Sequence, residues 1–197
     1  MTQTVTYVYD DPSLAGQAVR ALEAAGFTES EISIVRQDAE TTEWTIDRDD
    51  PVGDGATTGA SVGLAAGAGA GLLASLGLIA IPGLGPLVAA GVLATTLAAG
   101  AAGAVGGGII GALIDYGISE EEAPIYAENL RRGGTLVSVR ANDARVEEAE
   151  LIMQRFSPVD IAERGEAYRG EGWTAYDPEA PAMSREEADA ERRRYRA

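Results

Sequence analysis

The chain of 197 residues contains no cysteine and no histidine, and all 15 of its basic residues are arginine, so lysine is missing as well. Each absence removes a chemistry. Without cysteine there is no disulfide, thiolate nucleophile or zinc finger. Without histidine there is no imidazole base and no Ser-His triad. Without lysine there is neither a Schiff base nor a P-loop cation. Basic charge is also scarce beside acidic, 15 residues against 31, for a net charge of -16 at pH 7. That balance disfavours the phosphates of nucleic acid as a partner.

The largest absence is local. The 60 residues from 55 to 114 carry no charge and no aromatic ring: 33 are Gly or Ala, 19 are Val, Leu or Ile, and 8 are Ser, Thr or Pro. The flanks hold all of the charge, net -9 over residues 1–54, -6 over 115–163 and -1 over 164–197. Met1 to Asp11 is polar and then acidic, without the basic and apolar regions of a signal peptide. The expected location is therefore the cytoplasm, with inner-membrane association if the internal segment enters lipid.

The flanks spell a small sheet domain. Thr4 to Tyr9 is β-branched and aromatic, stopped by Asp10-Asp11-Pro12, and reads as a strand. Ser13 is placed to cap a helix with Leu14, Ala18, Leu22 and Ala25 as its inner stripe and Gly26 as its end. Glu31 to Arg36 reads as a second strand, and Thr42 to Ile46 alternates as a third. Beyond the insert, Ser119 and Glu122 form a capping box for a helix through about Leu130. Thr135 to Arg140 reads as a strand, and Val146 to about Phe156 as an amphipathic helix. The fold class expected is α+β, a ferredoxin-like βαββαβ sandwich with an inserted Gly/Ala-rich helical hairpin, its strands in the order 4-1-3-2 with those of Val5–Tyr9 and Leu136–Val139 in the centre. Residues 1–54 and 115–163 supply its two halves, 55–114 the hairpin and 164–197 a polar extension.

Pro82-Gly83-Leu84-Gly85-Pro86 cannot continue a helix, so it divides the insert into two arms, about 57–80 and 87–114. Gly59, Gly63, Gly67 and Gly71 recur every four residues on the first arm. On the second, Gly91, Gly103, Gly107 and Gly111 fall in the same register. Helix positions four apart share a face, so each arm presents a ridge without side chains that allows close backbone approach. These eight glycines are the candidate assembly residues. Glycine costs a helix about 1 kcal/mol relative to alanine, and tight packing must offset that. Packing between protomers, a homo-oligomer with the acidic domains outside, fits the absence of flanking Lys or Arg. Membrane lipid is the alternative environment, since either arm is long enough to cross a bilayer core of about 30 Å.

No other motif points to a ligand. Gly67-Ala68-Gly69-Ala70-Gly71 lacks the third glycine of a dinucleotide loop and has no strand before it. The acidic run Asp47 to Asp54 lacks EF-hand spacing, with Pro51 on a ligand position. The sequence thus predicts no cofactor, no metal and no catalytic residue. In the extension, Trp173 is expected to dock onto a neighbour, and Ser184 with Glu187 to open a helix ending in Arg192 to Arg194.

Gly117-Ile118-Ser119-Glu120-Glu121-Glu122-Ala123, the helix Tyr126 to Leu130, Arg132-Gly133-Gly134-Thr135-Leu136-Val137-Ser138-Val139, and Val159 to Arg164 leading to Gly172-Trp173 follow the Gly/Ala hairpin in order. This layout resembles the bacterial general stress protein family, heat-induced proteins akin to the low-temperature-induced proteins of cyanobacteria. The resemblance covers most of residues 4–176. It implies a stress-induced, non-catalytic protein and brings no catalytic or ligand residues. The function expected is a structural stress-response protein that self-assembles through its hairpin, or alternatively one anchored by it in the cytoplasmic membrane.

Overall fold

A computed structural model describes residues 2–37, 77–81, 84–102 and 108–195. The elements run β1 (Thr2–Tyr9), α1 (Pro12–Ala24), β2 (Ile32–Gln37), β3 (Gly77–Ile81), β4 (Gly85–Ala90), α2 (Val92–Ala102), α3 (Gly108–Asp115), α4 (Ala123–Arg131), β5 (Thr135–Asn142), α5 (Val146–Gln154), α6 (Ile161–Gly170) and α7 (Arg185–Arg194). The fold is α+β. Among the described residues one five-stranded sheet has the order β1-β5-β2-β4-β3, with all neighbours antiparallel.

Both faces of the sheet are covered. Val5, Tyr9, Ile34, Val137 and Val139 face α1 and α5 through Val19, Leu22 and Met153. Val8, Val35, Leu87 and Leu136 face the other way, toward Leu93, Leu113, Tyr116, Leu130 and Tyr168. Burial on both sides explains why Thr135 to Val139 in β5 and Ile32 to Val35 in β2 are buried without interruption.

Local signals set most of the ends. Asp11, not Ser13, caps α1: its carboxylate accepts the Ser13 N–H at 2.8 Å, because Pro12 suits the first helical position and moves the start forward. Gly26, at φ +88°, ends the helix as expected. The inner stripe is Ala15, Ala18, Val19 and Leu22, turned slightly from the one read by spacing. Ser119 and Glu122 make their reciprocal contacts, but Ser119 to Glu122 forms a turn and α4 begins at Ala123. Helix α7 carries a full capping box, Ser184 with Glu187.

Three expectations change. Among the described residues β5 is interior as expected but lies between β1 and β2, so the expected order 4-1-3-2, which keeps the fourth strand away from the second, does not hold; β1 bonds β5 alone among them. Residues 77–81 and 85–90 are two strands of a β-hairpin rather than the end of one helical arm and the start of the next. Leu87 to Ala90 pairs with Ile34 to Gln37, so the side of β2 away from β5 supplies the backbone partners that a helix would otherwise provide. Helix α6 was not anticipated from the sequence. The third strand read at 42–46 and the first arm up to residue 76 lie outside the described residues.

Candidate functional site

The insert builds one flank of the molecule. β4 docks on β2, β3 lies outside β4, and α2 packs on α3 and back onto β2. A buried hydroxyl cluster fastens this flank to the sheet. The Ser33 Oγ of β2 lies 3.1 Å from the Tyr116 hydroxyl, which also receives a hydrogen bond from Ser138 Oγ of β5 at 3.1 Å. The N–H of Leu93, in the first turn of α2, donates to the same Ser33 Oγ at 3.1 Å. Gly91 precedes α2 and has no side chain with which to cap it, so Ser33 supplies the oxygen from a neighbouring strand. The Arg140 guanidinium sits 4.9 Å from the Tyr116 ring centroid.

The eight glycines assigned to assembly fall into three groups. Gly59, Gly63, Gly67, Gly71, Gly103 and Gly107 lie outside the described residues. Gly91 does not sit on a helix ridge. It makes the turn from β4 into α2 at φ +85°, and a Cβ there would lie 2.2 Å from the Ile32 carbonyl oxygen. Its glycine is required by a close approach within the chain. Gly111 is helical, in α3, and a Cβ on it would meet nothing within 4 Å, so its side of α3 is open among the described residues.

A second constellation joins α4, α6 and α7. Glu128, 1% exposed, accepts from Arg131 at 2.9 and 2.5 Å and from Arg132 Nε at 2.7 Å. Arg132 reaches on to Glu171 at 2.9 Å and Glu191 at 2.6 Å, with its guanidinium 3.9 Å from the Tyr168 ring centroid. Arg164 grips Asp10 through two bonds, 2.9 and 2.6 Å, and lies 3.8 Å from the Tyr195 ring centroid. Arg194 closes the chain of charges on Glu171 at 2.6 Å. Trp173 does dock, edge-on against Tyr168 with ring centroids 6.0 Å apart, and the basic end of α7 meets acids of its own chain.

The electrostatics are those of a clasp. Burial alone would raise the Glu128 carboxyl, but the hydrogen bonds from Arg131 and Arg132 outweigh it and hold the group below its ordinary range. Burial likewise works upward on Glu171, and Arg132 and Arg194 reverse it. Burial opposes the charge of Arg132, yet its bonds to Glu128, Glu191 and Glu171 raise its pKa. Burial pushes Tyr168 up to about 12 against the pull of Arg164 and Arg132. Carboxylates held ionised beside permanent cations fasten together the elements that carry them. Its nearest links were legible as i,i+3 and i,i+4 spacings in Glu128-Arg131-Arg132. The partners Glu171 and Glu191 stand 39 and 59 residues from Arg132, beyond any local signal.

Two surface depressions carry charges of both signs. One of about 360 Å³ lies between Asp11, Pro12, Asp189, Arg192 and Arg193, and one of about 490 Å³ borders Glu147, Leu151 and Arg155 on α5. Among the described residues no three acidic side chains are grouped to hold a metal ion, and the run Asp47 to Asp54 lies outside them. No described helix is long and apolar enough to cross a membrane. Compared with known proteins, the chain matches no family model, no curated protein and no solved structure, and the resemblance to general stress proteins stands on its short motifs alone.

Proposed function

We propose that the protein is a non-enzymatic structural protein of the stress response that assembles with copies of itself through its uncharged flank. The observation that carries this reading is charge segregation. On a chain of net charge -16, residues 55–114 hold no charge, and their described parts, β3, β4, α2 and α3, are neighbours at one end of the sheet. Like charge keeps copies apart everywhere else. The open side of Gly111 and the run of small residues around it suit close backbone approach. The frame behind the flank is read as ferredoxin-like: β1 and β2 run parallel with β5 between them, and α1 and α5 pack on one face. The segment after α5 supports this, since Val159 donates to the outer side of β1 at Val8.

Size-exclusion chromatography with light scattering tests the assembly. The expected particle is a multiple of the 20.3 kDa chain. Gly67→Leu and Gly107→Leu should give smaller or aggregated species, each wedge costing about 1–3 kcal/mol per site. A 20.3 kDa particle across the concentration range would refute self-assembly. Carbonate extraction of native membranes distinguishes the membrane-anchored alternative: release as a large particle supports assembly, retention in the pellet supports the anchor. Protein levels that stay flat after heat and cold shifts would remove the stress-response part.

A further inference from the structure

Hydrogen-bond parity across the sheet identifies which backbone groups of β3 point outward. Along an antiparallel strand the N–H and C=O of one residue point to the same side, and the side alternates with each residue. On β1 the Val8 carbonyl accepts from Val159 N–H at 2.7 Å and the Thr6 carbonyl from the Tyr126 hydroxyl at 3.4 Å, so these two turn away from β5. Val5 and Tyr7 therefore face β5, opposite Val139 and Val137. Leu136, Ser138 and Arg140 must face β2, and the Arg140 N–H indeed donates toward that side, to Glu31, at 2.8 Å. Opposite Ser138 and Leu136 stand Ser33 and Val35, which leaves Ile34 and Arg36 to face β4. Their partners are Ala90 and Val88, so Leu87 and Ala89 face β3, opposite Ile79 and Gly77. The registers are unbroken throughout. Leu78 and Ala80 are left with N–H and C=O directed away from β4. Pro86, opposite Ala80, owes β3 no N–H in this arrangement.

Among the described residues β3 has a bonded strand on one side only. Natural edge strands are commonly blunted by charge, proline or a bulge. Gly77-Leu78-Ile79-Ala80-Ile81 has no charge and no proline, and its register with β4 has no bulge. We propose that two copies of the chain join by pairing β3 antiparallel to β3 about a dyad at Ile79, merging their sheets. In that register Leu78 of one copy stands opposite Ala80 of the other, and both outward residues find a complete partner. A second copy is the occupant the page favours for two reasons. The outward groups are symmetric about Ile79, hence self-complementary. The strand also lies in the one long stretch where two chains of net charge -16 can approach without setting acid against acid.

This deepens the self-assembly reading and rests on it, and the test separates the two. Ala80→Pro and Leu78→Pro each remove an outward N–H while leaving the bonds of Gly77, Ile79 and Ile81 to β4 in place. Light scattering, with circular dichroism as the check on folding, should show the particle mass halved in both variants. Amide hydrogen exchange on the wild type gives a readout without mutation. The Leu78 and Ala80 amides should be protected at high concentration and lose at least tenfold of that protection on dilution. An oligomeric wild type whose mass is unchanged in both folded proline variants overturns edge pairing and leaves self-assembly standing. Fast exchange at Leu78 in the assembled wild type does the same, and decides the matter if the proline variants fail to fold. Protection of Leu78 in a 20.3 kDa monomer means that the edge is covered from elsewhere and overturns both.

Discussion

Gly91 and Gly111 look alike in the sequence, yet their surroundings predict opposite responses to one methyl group. Gly91→Ala places a Cβ 2.2 Å from the Ile32 carbonyl at φ +85°, a backbone clash with no flexible side chain to give way. The expected loss is at least about 2 kcal/mol, read from urea unfolding. Gly111→Ala meets nothing within 4 Å inside α3 and should gain up to about 1 kcal/mol in helix propensity when measured at dilution. Equal midpoints for the two variants would contradict these geometries. Ser33 is a third discriminating residue. Ser33→Ala leaves the buried Leu93 N–H without its oxygen and takes one partner from the Tyr116 hydroxyl. A loss of about 1–3 kcal/mol is expected. Tyr116→Phe, which removes the other end of the same cluster, should couple to it in a double-mutant cycle, and simple additivity would argue against a shared network.

At the scale of elements, the clasp decides how α7 is held. Met183 N–H donates to the Arg131 carbonyl, the Gln37 amide to the Met183 carbonyl and Arg192 to the Gly133 carbonyl, so the ion pairs act together with a line of backbone contacts. Glu128→Gln leaves Arg131 and Arg132 facing a neutral amide. Loss of a buried partner typically costs about 3–5 kcal/mol, and here about 2–3 is expected, because Arg132 keeps Glu171 and Glu191. The clasp also sets an acid limit. Glu128 and Glu171 have folded pKa values below their ordinary 4.5, so the unfolded chain binds protons first as the pH falls. Their contribution is whole above pH 4.5 and is lost as the pH drops through the folded values. In a Trp44→Phe background, the fluorescence of Trp173 should report this loosening only below the ordinary carboxylate range. A transition centred near neutral pH would contradict the assignment.

For the whole molecule, the balance between a net charge of -16 and an uncharged flank predicts how assembly responds to salt. Repulsion between acidic bodies acts over a Debye length of about 30 Å at 10 mM salt and about 10 Å at 100 mM. β3, β4, α2 and α3 carry no charged residue apart from Asp115 at the end of α3, so contacts made by them offer no ion pairs between copies to be screened. Added salt should therefore strengthen association, and sedimentation at low and high salt should show the larger species gaining. Dissociation on adding salt would mean that the copies are held by charge pairs instead.

What the sequence determined by itself is what depends on residue type or on neighbours within one turn. The missing side chains exclude thiol, imidazole and amine chemistry. The cap of α7, the Gly26 stop and the strands at β1, β2 and β5 were legible because their causes lie within a few positions. Only tertiary structure decided the rest. Residues 87–90 read as the start of a helical arm, and the side of β2 offered by Ile34 and Arg36 made them part of a strand instead. Gly91 was one of many glycines until Ile32 was folded against it. Helix α6 stayed hidden because one of its inward residues is Arg164, a charge that can be buried only once Asp10, brought from the far end of the chain, is there to receive it.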